Sequence, residues 1–210
     1  MTETITQDGT ERIAATSNKR AKRAEVSRQQ ILDVAAKLFR ARGYTETSLR
    51  DIGKQAGMKA GSLYYHFASK EELAAEVLRI GVQKVHQAVV MSLDALGRTA
   101  NARSKLEAAM TAHLETLLDE SDYTSAHIRC FPYVPETLRV QLSSARLEYE
   151  AVWRVLLDDV AESDALPSGT DRNAARLVIL GALNWSLEWY DPARGRPSEL
   201  TRTLIAAFTR

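Results

Sequence analysis

Residues 47–73 read TSLRDIGKQAGMKAGSLYYHFASKEEL, and the spacing of their apolar side chains decides the fold. Leu49, Ile52 and Ala56 fall on one side of a short helix. Ser48-Leu-Arg-Asp51 is a capping box at its start, in which the hydroxyl and the carboxylate satisfy amides that have no helical partner. Gly57 permits a tight turn. A second short helix follows, from about Ala60 to Phe67, with Leu63 and Phe67 one turn apart and facing inward. That leaves Lys59, Ala60, Gly61, Ser62, Tyr64, Tyr65 and His66 on or near the outside, with three hydrogen-bonding aromatics in a row. Ser69-Lys-Glu-Glu72 is a further capping box and opens a long helix to about Leu96. Two short helices joined by a glycine turn and packed on longer neighbours make a helix-turn-helix unit.

Upstream, Ile31, Ala35, Leu38 and Phe39 form one face of a helix that ends at Gly43, and Ser27-Arg-Gln-Gln30 fits a capping box at its start. Residues 1–26 lack an apolar face and read as a disordered basic arm carrying Lys19, Arg20, Lys22 and Arg23. Downstream, helices are expected over about 102–118, 124–130, 135–162, 171–190 and 198–208, with Ser198 capping the last. The five prolines are Pro132, Pro135, Pro167, Pro192 and Pro197, so none interrupts these long periodic stretches. No sustained alternation of period two is present. The expected fold is all-α, with about nine helices, a helix-turn-helix domain at 27–73 and a larger helical domain at 74–210.

Charge is unevenly distributed. Residues 1–70 hold 13 Lys and Arg against 7 Asp and Glu, whereas residues 71–210 hold 15 against 20. A basic first third points to a polyanionic partner for that part alone. The single cysteine, Cys130, forbids an internal disulfide, and the polar N-terminus lacks a secretory apolar core. The longest apolar run, LVILGAL, is far short of the roughly 20 residues that span a bilayer. A cytoplasmic protein with no membrane partner is expected.

A helix entering the major groove offers base edges and phosphates small residues, hydroxyls and cations. Gly61 and Ser62 let the backbone approach, Tyr64, Tyr65 and His66 donate to phosphate oxygens, and Lys70 adds charge beside the amides opening its helix. The stretch ILDVAAKLFRARGYTETSLRDIGKQAGMKAGSLYYHFASKEEL, with its Gly43-Tyr44 helix end, Thr47-to-Ile52 opening, Gly57 and Gly61-to-Phe67 helix, resembles the N-terminal domain of the TetR family of transcriptional regulators. The resemblance covers about residues 28–78. It implies phosphate binding by Thr47 and Ser48, recognition contacts from Ala60, Gly61, Ser62, Tyr64, Tyr65 and His66, and a phosphate anchor at Lys70. Arg50 and Lys59 are further candidates, and the basic arm is a candidate for the minor groove. It also implies a homodimer with a ligand-binding domain.

The segment AARLVILGALNWSLEWY is apolar on nearly every face, so it is expected to be buried on two sides, one against a second copy. Leu200, Leu204, Ile205 and Phe208 offer the last helix for the same interface. The ending LNWSLEWYDPARGRPS resembles TetR-like repressors of fatty-acid, steroid-ring and other acyl-CoA catabolism, which makes an acyl-CoA thioester a candidate effector. Arg129, Arg139 and Arg146 are candidate phosphate ligands. Leu117, Phe131, Trp153 and Leu183 are candidate acyl-pocket residues, with Asn184, Trp185 and Trp189 beside them. His113, His127 and Cys130 match no metal-ligand spacing. No phosphate loop, Gly-x-Ser-x-Gly or Glu-x-x-His pair occurs, so neither enzyme activity nor a cofactor is expected. The leading reading is a ligand-responsive repressor. An activator of the same fold, or an all-α small-molecule binding protein or enzyme with a vestigial helix-turn-helix, stays open on sequence alone.

Overall fold

The computed structural model describes residues 5–97, 99–118, 122–163 and 165–209. Among them are ten α-helices, two short 3₁₀ turns and no strand. The helices are α1 (Ile5–Arg42), α2 (Leu49–Gln55), α3 (Ala60–His66), α4 (Lys70–Leu96), α5 (Ala102–Leu118), α6 (Asp122–Cys130), α7 (Glu136–Gln141), α8 (Ser143–Glu162), α9 (Arg172–Trp189) and α10 (Pro197–Phe208).

The head, α1 to α3, is built on the capping and turn chemistry of the sequence. Gly43 takes φ 80° after α1, where a side chain would be strained. Ser48 caps α2 with the full box, its hydroxyl accepting from the Asp51 amide. Between α2 and α3, Met58 N donates to Gly53 O at 2.9 Å and Gly57 N to Lys54 O at 3.2 Å, with Gly57 at φ 66°. This Schellman closure turns the chain sharply enough to cross α3 over α2. Ile52, Leu63 and Phe67 are buried against Ile31, Leu32, Ala35 and Phe39 of α1.

Four local expectations change. The arm expected to be disordered to residue 26 is helical from Ile5, continuous with α1; residues 1–4 lie outside the described residues. Its Ala, Arg, Lys and Glu are strong helix formers, and a helix nucleated by packed residues elongates outward at low cost. Ser27 is therefore inside a helix rather than capping one, and Gln30 Nε2 instead donates to the Ala56 carbonyl at 3.0 Å. The helix expected over 135–162 breaks at Leu142, which is buried, so Pro135 caps α7 and α8 begins afresh at Ser143. At the C-terminus Arg196, not Ser198, is the cap residue, because Pro197 already occupies the first turn.

The apolar residues divide into two clusters. One joins α1, α2, α3 and the first part of α4 to Tyr123, Ala126 and Cys130 of α6 and to Leu138 and Leu142 around α7. The other holds Val82, Val85 and Val89 of α4 with residues of α5, α8, α9 and α10. The two meet at Gly81. A Cβ on Gly81 would lie 2.3 Å from the Tyr123 carbonyl oxygen and 2.9 Å from His127 Cβ, so α6 rests directly on the α4 backbone. Glycine ordinarily weakens a helix by about 1 kcal/mol relative to alanine, so Gly81→Ala at an open position would stabilise. Here the clash reverses the sign, and a loss of about 1–3 kcal/mol is expected. A melting temperature that rises or stays the same would contradict this close crossing.

Candidate nucleic-acid interface and effector site

Leu63 and Phe67 anchor α3 from below, and its other side faces solvent. Tyr64 is 57% and Tyr65 75% exposed, which is unusual for aromatic side chains on a packed helix. Tyr65 meets His66 edge-on at 5.2 Å between ring centres, and His66 is half-buried. Lys59, Gly61 and Ser62 are exposed beside them, as are Arg50 on α2 and Ser48 at its cap. Ala60 opens α3, but its side chain lies outside the described residues, as do those of Lys19 and Arg20; Lys22 and Arg23 are exposed. The head thus presents one continuous face of small residues, hydroxyls, an imidazole and cations.

One candidate is corrected, and the surroundings of a second are refined. Thr47 is 1% exposed, and its hydroxyl donates to the Gly43 carbonyl at 2.8 Å. Its side chain closes the turn between α1 and α2 and offers nothing to a phosphate. Lys70 is held over the Tyr44 ring at 4.1 Å, and the Tyr44 hydroxyl donates to Glu71 at 3.0 Å. Neighbouring amides at the start of α4 already have acceptors: Glu72 N donates to Ser69 Oγ and Ala68 N to Glu72 Oε2. The charge of Lys70 is what this corner offers an anion. The Ser48 hydroxyl is also engaged, donating to Asp51 at 2.5 Å, and that bond keeps the Asp51 carboxyl below its usual range.

The effector candidates separate into two compartments. An inner cavity of about 70 Å³ lies between α4, α5, α6, α8 and α9, with His113, Thr124, His127, Arg146, Tyr149 and Asn184 in its wall. An outer groove of about 530 Å³ runs from the end of α1 to α9 and includes Arg40, Arg42, Arg129, Tyr133 and Trp185. Asn184 and Ile128 line both. Phe131 sits just outside, stacked on His127 at 5.4 Å and covered by the Arg146 guanidinium at 3.8 Å. Trp153 is fully buried and supports the cavity from behind, edge-on to His113 and Tyr149. Leu117 and Leu183 are core residues, Arg139 pairs with its own helix neighbour Glu136, and Trp189 lies on a separate groove with Glu199 and Thr203. The structure therefore brings Arg129, Asn184 and Trp185 together and leaves Leu117, Arg139, Leu183 and Trp189 away from the two compartments.

Sequence reasoning set the histidines aside for want of a metal-ligand spacing and missed what they contact. The Nδ1 of His113 is 2.6 Å from the Tyr149 hydroxyl, and its Nε2 is 3.1 Å from Asn184 Oδ1. His127 donates from Nδ1 to the Leu78 carbonyl at 2.9 Å. Burial pushes both down to about 4, so both are neutral near pH 7. Arg40 and Arg42 were also missed, because both belong to the head by sequence. Helix α6 is tied to that same helix end. Arg129 donates to the Arg40 carbonyl at 3.1 Å and to Glu188 of α9 at 3.0 Å, Arg40 pairs with Asp122 at 2.9 Å, and Tyr123 donates to Asp33 at 2.6 Å. Among the described residues no three His, Cys, Asp or Glu side chains converge as a metal set, and no helix is long and apolar enough to cross a membrane.

A further surface feature is the outer side of α9, where Leu177 at 60%, Val178, Trp185 at 66% and Trp189 stay exposed. The expectation that Ile205 offers itself to a partner is corrected: it is buried against its own subunit, as α10 packs on α5. Leu200, Leu204 and Phe208 are partly covered by the same core.

With the exposed recognition-type helix and the enclosed helical body both in place, the family follows. The chain belongs to the TetR family of DNA-binding transcriptional regulators: the description "Bacterial regulatory proteins, tetR family" matches residues 31–77, and "Tetracyclin repressor-like, C-terminal domain" matches residues 99–210. It is 30% identical over 191 residues to the HTH-type transcriptional repressor KstR2 of Rhodococcus jostii (strain RHA1), covering 84% of this chain and 83% of that protein. Among solved structures it resembles the TetR family transcriptional regulator PfmR from Thermus thermophilus, with TM-score 0.73, 26% identity, and coverage of 86% of this chain and 94% of that one. It shares its fold with AibR, solved in complex with isovaleryl coenzyme A and operator DNA, at TM-score 0.77, 20% identity, and coverage of 87% and 97%.

The buried histidines make stability pH-dependent. Each is neutral when folded and takes up a proton near pH 6.5 when unfolded, so below that pH the unfolded chain binds more protons and stability falls. Between about pH 6.5 and about 4 each histidine steepens the loss by up to ~1.4 kcal/mol per pH unit. Urea unfolding at a series of pH values should show a shallower slope in this window for His113→Gln than for the unmodified protein, whatever the variant's absolute stability. Equal slopes would contradict a neutral His113.

Proposed function

We propose that this chain is a ligand-responsive repressor that binds a palindromic operator as a homodimer in the cytoplasm and is released by an acyl-CoA thioester. The observation that carries the DNA half is the outward face of α3, where Tyr64 and Tyr65 stand exposed above an inward Leu63 and Phe67. In this reading residues 27–73 are the DNA-binding head and 74–210 the effector and dimer body, with α4 shared between them. Gly61, Ser62, Tyr64, Tyr65 and His66 meet the major groove. Ser48, Arg50, Lys59 and Lys70 meet the flanking phosphates, and Lys22 and Arg23 extend the basic surface. The apolar outer face of α9 packs against its symmetry mate, with α10 at its flank, which sets two heads about 34–36 Å apart, one turn of DNA.

The effector half rests on the two compartments. Arg40, Arg42 and Arg129 beside Trp185 and Tyr133 suit the phosphates and adenine of a nucleotide-containing ligand, through charge-assisted bonds and ring stacking. The inner cavity takes the acyl group. On this measure a single water needs about 10–15 Å³, so a space of about 70 Å³ favours a short chain in this conformation. KstR2 is a repressor and AibR binds isovaleryl coenzyme A, which agrees with this class. Phosphates arriving at the outer groove compete for Arg129, which ties α6 to the end of α1 and to α9. Release of DNA then requires that the effector bind the DNA-free arrangement more tightly, and DNA must weaken the effector by the same factor.

Fluorescence anisotropy on the palindrome upstream of the protein's own gene tests this reading. Tyr64→Ala and Lys70→Ala are each expected to weaken binding by roughly tenfold or more, and Lys70→Ala to lower the slope of log affinity against log salt by about one. Isovaleryl-CoA added to the complex should lower the anisotropy. Variants that bind as the unmodified protein does would remove α3 and Lys70 from the interface. Transcription that rises on adding the protein without ligand would make it an activator.

A further inference from the structure

We propose that Asn184 reads the carbonyl of the effector: its side-chain NH₂ donates to the thioester oxygen where the outer groove opens into the inner cavity. The inference rests on the acyl-CoA reading above and assigns the part of that ligand which the junction recognises.

Asn184 and Ile128 line both compartments, so a ligand that reaches from the arginines of the groove into the cavity passes between these two side chains. Ile128 has no polar atom beyond its backbone. Asn184 is the residue at the junction able to form a directional bond.

The direction of that bond is set from the far end of a relay. The Tyr149 hydroxyl is buried; the neighbouring Trp153 indole N–H can only donate to it, so among the described residues its acceptor is His113 Nδ1, at 2.6 Å. A phenol carries one proton. If Nδ1 held a proton and donated it, the Tyr149 proton would be buried without an acceptor, which is unfavourable. Tyr149 therefore donates, and Nδ1 is bare. A neutral imidazole has one N–H, so that proton sits on Nε2. Nε2 in turn donates to the atom 3.1 Å away, which must accept, and this is Asn184 Oδ1. Turning the amide over would oppose two donors. The oxygen of Asn184 is thus occupied and held, and its two N–H bonds are what the side chain offers to anything else.

A thioester suits that offer. Its carbonyl oxygen is a good acceptor, while the sulfur is a weak one. A carbonyl at the junction puts the acyl carbons in the cavity and the pantetheine and nucleotide in the groove. A site built to bond a polar group discriminates strongly against an analogue lacking it, because its own donor is then left unpaired. The same relay works against a ligand that places a hydroxyl or amine donor at this point and no acceptor.

The test compares isovaleryl-CoA with S-isopentyl-CoA, the thioether in which the carbonyl is replaced by CH₂, using calorimetry on the full chain. The unmodified protein should bind the thioester roughly tenfold tighter or more. Asn184→Leu should bring that ratio close to one. Tyr149→Phe frees the His113 tautomer and should shrink the ratio in the same way. A loss that is equal for both ligands in either variant would mean a structural role only and overturn the proposal. Equal affinities in the unmodified protein would overturn it while leaving the acyl-CoA reading standing. Failure of isovaleryl-CoA, S-isopentyl-CoA and free CoA alike to bind would end both.

Discussion

Everything in this molecule turns on the crossing of two helices at Gly81. Helix α4 is one rod from Lys70 to Leu96, and its buried residues serve two cores in succession. Leu73, Ala74, Val77 and Leu78 belong with the helix-turn-helix, and Val82, Val85 and Val89 with the body. Between them the missing side chain of Gly81 lets the backbone of α6 lie against that of α4, with the Thr124 hydroxyl reaching the Gly81 carbonyl at 3.3 Å. Close backbone contact leaves little room for independent sliding, since packed interiors shift between discrete arrangements rather than deform continuously. A movement of α6 must be answered by α4, or by α1 through Tyr123 and Arg129, and both lead to the helix-turn-helix head.

In the proposed mechanism this geometry gives the cavity its leverage. Its wall holds Thr124, His127 and Ile128 of α6, Gly81, Val82 and Val85 of α4, and Asn184 of α9. A small space bounded by the helices that carry the head is a better lever than a large one remote from them. Energetically the requirement is modest: couplings of about 1–3 kcal/mol between effector and DNA change occupancy severalfold to more than a hundredfold.

Much of the head was legible because its information is local. Ser48 with Asp51, Gly57 after Ala56, and Leu63 four residues before Phe67 are relations within one or two turns, and each is where the sequence puts it. The outward set on α3 follows by subtraction once the two inward residues are known. Thr47 was misread because one hydrogen bond back to Gly43 decides its exposure, and a hydroxyl at a helix entrance looks the same either way. The effector region was harder. His113 meets Tyr149 36 residues away and Asn184 71 residues away, and Arg129 meets Arg40 at a separation of 89. No periodicity encodes such pairs, so Trp153 read as a pocket wall although it is the support behind one, and His113 read as incidental although it orients the junction. The first helix was cut short for a related reason: composition describes burial, whereas a run of Ala, Lys and Arg extends a helix without needing any.

The central claim is that the effector changes the separation of the two heads by acting through α6 and α4. Pulsed dipolar EPR on Gln55→Cys carrying a nitroxide measures this directly, since Gln55 is exposed on the head and Cys130 is buried from the label. With operator DNA a single narrow distance is expected, and adding isovaleryl-CoA should shift it by several ångströms or broaden it as DNA leaves. A distance distribution identical with DNA, with isovaleryl-CoA and with neither, under conditions where the ligand is bound, would contradict the account.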